Sequence, residues 1–96
     1  MTPEKKVKDQ VKRILKEVGA WHCMPATHGY GTSGVPDILA CLHGRFIGIE
    51  CKAGKGVTTA LQIKNLNEIA ACGGISIVVN ETNYDELRNV LTGVNK

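Results

Sequence analysis

Residues 35–52 read VPDILACLHGRFIGIECK. Two apolar, partly β-branched runs, 35–42 and 45–52, stand on either side of His43-Gly44. A two-residue link ending in glycine between such runs predicts a tight β-hairpin. With the turn at His43 and Gly44, Asp37 falls directly opposite Glu50. Opposed residues have Cβ atoms about 4.5–5.5 Å apart, so two carboxylates there repel unless something positive lies between them. Strand side chains alternate, which puts Lys52 on the face of Glu50 and turns Ile49 and Cys51 away. The hairpin thus gathers Asp37, Glu50 and Lys52 into one patch. A divalent cation with oxygen ligands would relieve the repulsion.

Immediately upstream, residues 29–34 spell GYGTSG, the G-x-G-x-x-G spacing of a dinucleotide-binding loop. That loop needs a strand before it and a helix after it, because the phosphate sits on the helix N-terminus. Here the glycines run into Val35-Pro36-Asp37 and an apolar strand, and Pro36 suits a strand's first residue. No nucleotide cofactor is expected. The segment Thr27 to Gly34 reads instead as a loop beside the acids, with Tyr30, Thr32 and Ser33 placed to touch a nucleic-acid backbone.

Further out, residues 2–18 read as a helix. Thr2 is an N-cap, Pro3 suits the first turn, and Val7, Val11, Ile14, Leu15 and Val18 recur at helical spacing up to Gly19. Lys5, Lys6, Lys8, Lys12, Arg13 and Lys16 fill the other positions, either as a solvated face or as phosphate contacts. Residues 20–26 read as a short strand, 59–72 as a second helix closed by Gly73-Gly74, 75–79 (ISIVV) as a buried strand, and 82–92 as a last helix. The order predicts an α/β domain: a mixed central sheet flanked by helices, one domain over residues 1–96.

Two polar residues stand where helix phase favours the core. Glu4 lies on the stripe of Val7 and Val11, and Gln62 on that of Leu66 and Ile69. Each has a purely structural reading. Glu4 is a first-turn acid that the helix dipole favours. Thr59 and Gln62 form a capping box. Glu17 is an alternative to Glu4, but it falls beside the helix end and off the best phase.

Composition narrows the function. The chain has 96 residues, 43 % hydrophobic and 4 % aromatic, with net charge +3. So few aromatics argue against a base-stacking platform, while the positive charge permits an acidic partner such as DNA. A domain this short is marginal alone, which favours a partner chain. Four cysteines without a C-x-x-C pair, and no recognisable secretory leader, predict free thiols, mostly buried, in a reducing intracellular compartment. A zinc site from His22, Cys23, His28 and His43 has no supporting ligand spacing. No apolar run approaches the ~20 residues of a membrane span.

Pro36-Asp37, Glu50-Cys51-Lys52 and Gln62, with Glu4 in the first helix, resemble the PD-(D/E)xK nuclease superfamily. Within it, Ser33-Gly34-Val35-Pro36-Asp37 and the run from Glu50 through Ala53-Gly54 and Thr59 to Gln62 resemble the VRR-NUC family, the virus-type replication-repair nucleases. The resemblance spans nearly the whole chain, as in the short stand-alone viral members, which are similar to Holliday-junction resolvases. It implies a restriction-endonuclease-like core, homodimers, and Mg²⁺- or Mn²⁺-dependent cleavage of DNA, branched DNA in particular. It implies metal ligation by Glu4, Asp37, Glu50 and the backbone carbonyl of Cys51, with Lys52 acting on the attacking water and Gln62 supporting it. Nicking or flap cutting at the same site, and a non-catalytic DNA-binding module, are the alternatives. A mere binder gains nothing from opposed acids.

Overall fold

The computed structural model describes residues 2–26 and 31–94. Its elements are α1 (Pro3–Glu17), β1 (Trp21–Cys23), β2 (Ile38–Leu42), β3 (Arg45–Cys51), α2 (Ala60–Ala71), β4 (Ile75–Val79) and α3 (Tyr84–Gly93). The strands form one sheet in the order β1-β2-β3-β4. β1 pairs with β2 and β2 with β3 antiparallel, and β4 runs parallel to β3, reached through the α2 crossover. The architecture is therefore α/β, with a four-stranded mixed sheet and helices on both faces.

The hairpin forms as the sequence predicts. Ile38 opposes Ile49 and Leu42 opposes Arg45, so the link is His43-Gly44. Both link residues have positive φ, 50° and 81°. That is the pattern of a type I′ turn, whose twist matches that of the strands it joins. β2 begins one residue later than an ideal ladder would allow, at Ile38, and Asp37 lies just before it.

α1 and α3 cover one face of the sheet. Val7, Val11, Ile14 and Leu15 of α1 and Leu87 and Leu91 of α3 pack on Ile38, Ala40, Ile47, Ile49, Cys51 and Val79. Thr2 caps α1 as expected, its hydroxyl accepting from the Lys5 N–H at 3.2 Å. The other face belongs to α2, which contacts β3 and β4. α2 lies so close that a Cβ on Gly48 would stand 2.7 Å from Ile69 and 3.0 Å from Pro36. Glycine at this strand position is what lets the helix approach.

One expectation needs correction. All four cysteines are free, but they are not mostly buried: only Cys51 is, while Cys41 and Cys72 are exposed and Cys23 is intermediate. Cys41 points to the α2 face of the sheet, over the part that α2 does not reach. The glycine-rich segment is followed by β2, with no helix between Gly34 and the strand. Among the described residues no helix is long and apolar enough to cross a membrane.

Candidate active site

Among the described residues the one buried charged side chain is Glu50, near the end of β3 on the α2 face. The Gln62 side chain donates to Glu50 Oε2 at 2.8 Å, and the Lys52 ammonium stands 3.3 Å from the same oxygen. Glu50 Oε1 is also buried and has no hydrogen-bond partner. Burial, then the negative charge of Asp37, push the Glu50 carboxyl up to about 7, with Lys52 opposing in part.

Asp37 closes the site from the other strand. The backbone amide of Cys51 donates to Asp37 Oδ2 at 2.9 Å. The reason lies in the ladder. The Lys52 amide bonds to Val79 of β4, so the polar groups of its neighbour Cys51 turn the opposite way, toward β2. One step beyond Ile38 and Ile49 on each strand lie Asp37 and Glu50, and the next pair is Pro36 and Cys51. Proline has no N–H to give the Cys51 carbonyl. The Pro36-Asp37 dipeptide therefore ends the ladder, holds the Cys51 amide with a carboxylate, and leaves the Cys51 carbonyl without its strand partner. The Cys51 thiol itself points into the apolar core, where burial pushes it up to about 12.

Gln62 satisfies both readings of its position. Its Oε1 accepts from the Thr59 amide at 2.8 Å while the Thr59 hydroxyl accepts from the Gln62 amide at 3.2 Å, completing the capping box. With the oxygen so engaged, the side-chain NH₂ faces Glu50. The cap orients the donor.

Glu4 stands apart. Its carboxylate is 3.7 Å from the Lys8 ammonium, which is itself 3.7 Å from Asp37 Oδ1. Lys8, one helical turn beyond Glu4, is a site residue that the sequence reading passed over among the other cations. Its signal was the i,i+4 spacing from Glu4. The cleft of about 710 Å³ between the start of α1 and the loop after β3 is lined by Glu4, Lys52, Gly54 and Val57. Glu81 steadies that loop, accepting from the Gly54 amide on both carboxylate oxygens at 3.0 Å.

Upstream, Thr32 and Ser33 are exposed, and Tyr30 lies outside the described residues. The Ser33 carbonyl accepts from the Asn65 side chain of α2 at 3.1 Å. Gly34, with φ +77°, lies against Leu61 so closely that a Cβ would meet it at 2.7 Å. Among the described residues no three His, Cys, Asp or Glu side chains gather around one point. His22, Cys23 and His43 do not meet, and His28 lies outside the described residues. The candidate metal ligands brought together are two carboxylates and one main-chain carbonyl. These are hard oxygen donors that suit Mg²⁺ or Mn²⁺, and the partnerless, buried Glu50 Oε1 is the atom that most needs a cation.

Comparison of the chain with protein-family models and with curated proteins gives no match.

Proposed function

We propose that this chain is a divalent-metal-dependent endodeoxyribonuclease with a restriction-endonuclease-like core, of the VRR-NUC branch of the PD-(D/E)xK superfamily. The observation that carries the reading is Glu50. A carboxylate this buried, with one oxygen unpartnered, an acid beside it and a lysine at 3.3 Å, is costly to fold. Perturbed acids in such a setting mark functional sites. The main-chain break at Pro36, which frees the Cys51 carbonyl next to these acids, supports the same conclusion.

In this reading Asp37, Glu50 and the Cys51 carbonyl would hold Mg²⁺ or Mn²⁺. When bound, the ion lowers the pKa of a water and offsets the charge building on phosphorus. The protein groups do the rest. Cys51 N–H fixes the Asp37 carboxylate, and Gln62, locked by its cap, fixes that of Glu50. Lys52 orients the attacking water and stabilises the anionic transition state. Water adds to phosphorus, one P–O ester bond breaks, and the leaving oxygen takes up a proton. Glu4 acts at one remove, holding Lys8 against Asp37.

The substrate is DNA, branched DNA by preference, and the working form a homodimer. A four-way junction has two strands to cut symmetrically, which asks for two sites related by a two-fold axis. The sheet offers surface for such pairing. Trp21, Cys41 and Phe46 are neighbours across three strands and are all exposed. Exposed apolar rows of this kind mark contact surfaces.

The test is incubation with a labelled four-way junction, a flap and plain duplex, with and without Mg²⁺, alongside sedimentation. Mg²⁺-dependent cutting favouring the junction, by a dimer, is expected. A monomer that cuts duplex equally well removes the junction preference and keeps the nuclease. No cutting of any substrate overturns the nuclease.

A further inference from the structure

α1 carries half of the chain's 12 lysines and arginines: Lys5, Lys6, Lys8, Lys12, Arg13 and Lys16. Their arrangement is not uniform. Lys8, Lys12 and Lys16 follow one another at four-residue steps, each about 6 Å further along the axis. The row starts at the candidate site, where Lys8 is 3.7 Å from Asp37. It ends at a shallow groove of about 390 Å³ between α1 and β1, lined by Asp9, Lys12, Arg13, Lys16 and His22. The one acid in that groove is already matched, with Lys5 at 3.1 Å and Lys12 at 3.4 Å from the Asp9 carboxylate. Arg13 and Lys16 pair with no carboxylate among the described residues.

We infer that the flank of α1 from Lys8 through Lys12 to Lys16, with Arg13 and His22 beside it, is the track on which the phosphodiester backbone of DNA lies as it leaves the carboxylate site. The direction of the track rests on the nuclease reading; the binding itself does not. A membrane surface fits poorly. The apolar side of α1, Val7, Val11, Ile14 and Leu15, is fully buried in the core, so no greasy face remains to enter lipid. The groove has no Phe, Tyr or Trp and a single imidazole, His22, so it offers no platform of successive rings for bases to stack on. The contacts go to phosphates. They fix register and carry no sequence information.

The experiment measures binding without cutting. Duplex and four-way junction are titrated in Ca²⁺ or EDTA, at several salt concentrations, with wild type and with the triple variant Lys12→Gln, Arg13→Gln, Lys16→Gln. All three changes keep good helix formers, at exposed Arg13 and Lys16 and half-buried Lys12, and a melting curve checks the fold. Each lost phosphate contact lowers the log–log salt slope by about 0.9, so the triple variant is expected to lose about two to three units of slope and more than tenfold in affinity. The loss is the same for any sequence. Arg45→Gln with Lys64→Gln, in β3 and on α2, leaves the slope unchanged. Wild-type slope and affinity in the triple variant overturn the track, as does wild type that binds phosphatidylserine vesicles or an acidic polypeptide but no DNA. Slope lost in the triple variant of a protein that never cuts DNA sustains the track and removes the nuclease.

Discussion

The two faces of the sheet are made differently. On the α1/α3 face, Ile38, Ala40, Leu42, Ile47, Ile49, Cys51, Ile77 and Val79 form an apolar layer in which each residue is at most a tenth exposed. On the α2 face the same strands present Cys41, Phe46, Gly48, Glu50, Ser76 and Val78, with Phe46 44 % and Val78 37 % exposed. α2 packs chiefly on β3 and β4, and on the β1–β2 half Trp21 and Cys41 stay exposed. Consecutive residues on β3 belong to these two worlds: Ile49 faces the core and Glu50 the site. One face supplies folding free energy through close packing. The other accepts a buried charge, which is tolerable because the first face is complete.

The largest expected effect is on the second face. Asp37→Asn and Glu50→Gln should each cut Mg²⁺-dependent cleavage at least a thousandfold, about 4 kcal/mol of barrier, while the melting temperature of the metal-free protein holds or rises. Single-turnover kinetics and a thermal melt measure both. A fully active Asp37→Asn protein breaks the site assignment. Its mirror image is Ile49→Ala, one residue away. It should destabilise the fold by about 3 kcal/mol, read from denaturant unfolding, with no selective effect on the chemistry of the molecules that remain folded.

The pH dependence of stability sharpens the contrast. The folded Glu50 carboxyl lies near 7 against an ordinary 4.5. The folded state thus holds its proton more tightly, and that contribution is complete below 4.5 and lost as pH rises through 7. Wild type should lose up to about 3 kcal/mol relative to Glu50→Gln across that window, in the absence of metal. Added Mg²⁺ at high pH should restore it, because an ion bound only by the folded state stabilises it. The Cys51 thiol, on the other face, stays protonated throughout. The smallest effect is that of Thr59→Ala. It should cost about 1 kcal/mol as a lost cap, and it should also slow cleavage, because Gln62 is no longer held toward Glu50. A variant that loses stability alone shows that Gln62 needs no cap to find its partner.

Much of this was legible from the hairpin. A glycine-ended two-residue link admits one register, and the register brings Asp37 to Glu50 and Lys52. The helices followed from their caps and periodicity. What escaped the sequence depends on three-dimensional closeness. Helix phase puts Glu4 on the stripe of Val7 and Val11 and the family resemblance counts it among the metal ligands, but phase fixes a direction and not a reach, and Lys8 stands between Glu4 and Asp37. Cys41 reads as core in an apolar run, yet whether a strand face is covered depends on how far a helix on another part of the chain extends. Gln62 was posed as either cap or site residue, whereas an amide has two ends and uses both.

α2 has a mechanical consequence. It holds the Ser33 carbonyl through Asn65, wedges against Gly34 through Leu61, and carries Gln62 to Glu50. The segment that delivers Asp37 and the donor that steadies Glu50 thus hang on one rigid rod. The two acids are not adjusted independently: tilting that rod loosens both at once. In amide hydrogen exchange, Gly34, Leu61 and Gln62 should therefore open as a single cooperative unit, with Gly48 at its pivot, where a glycine lets the rod rest on the sheet.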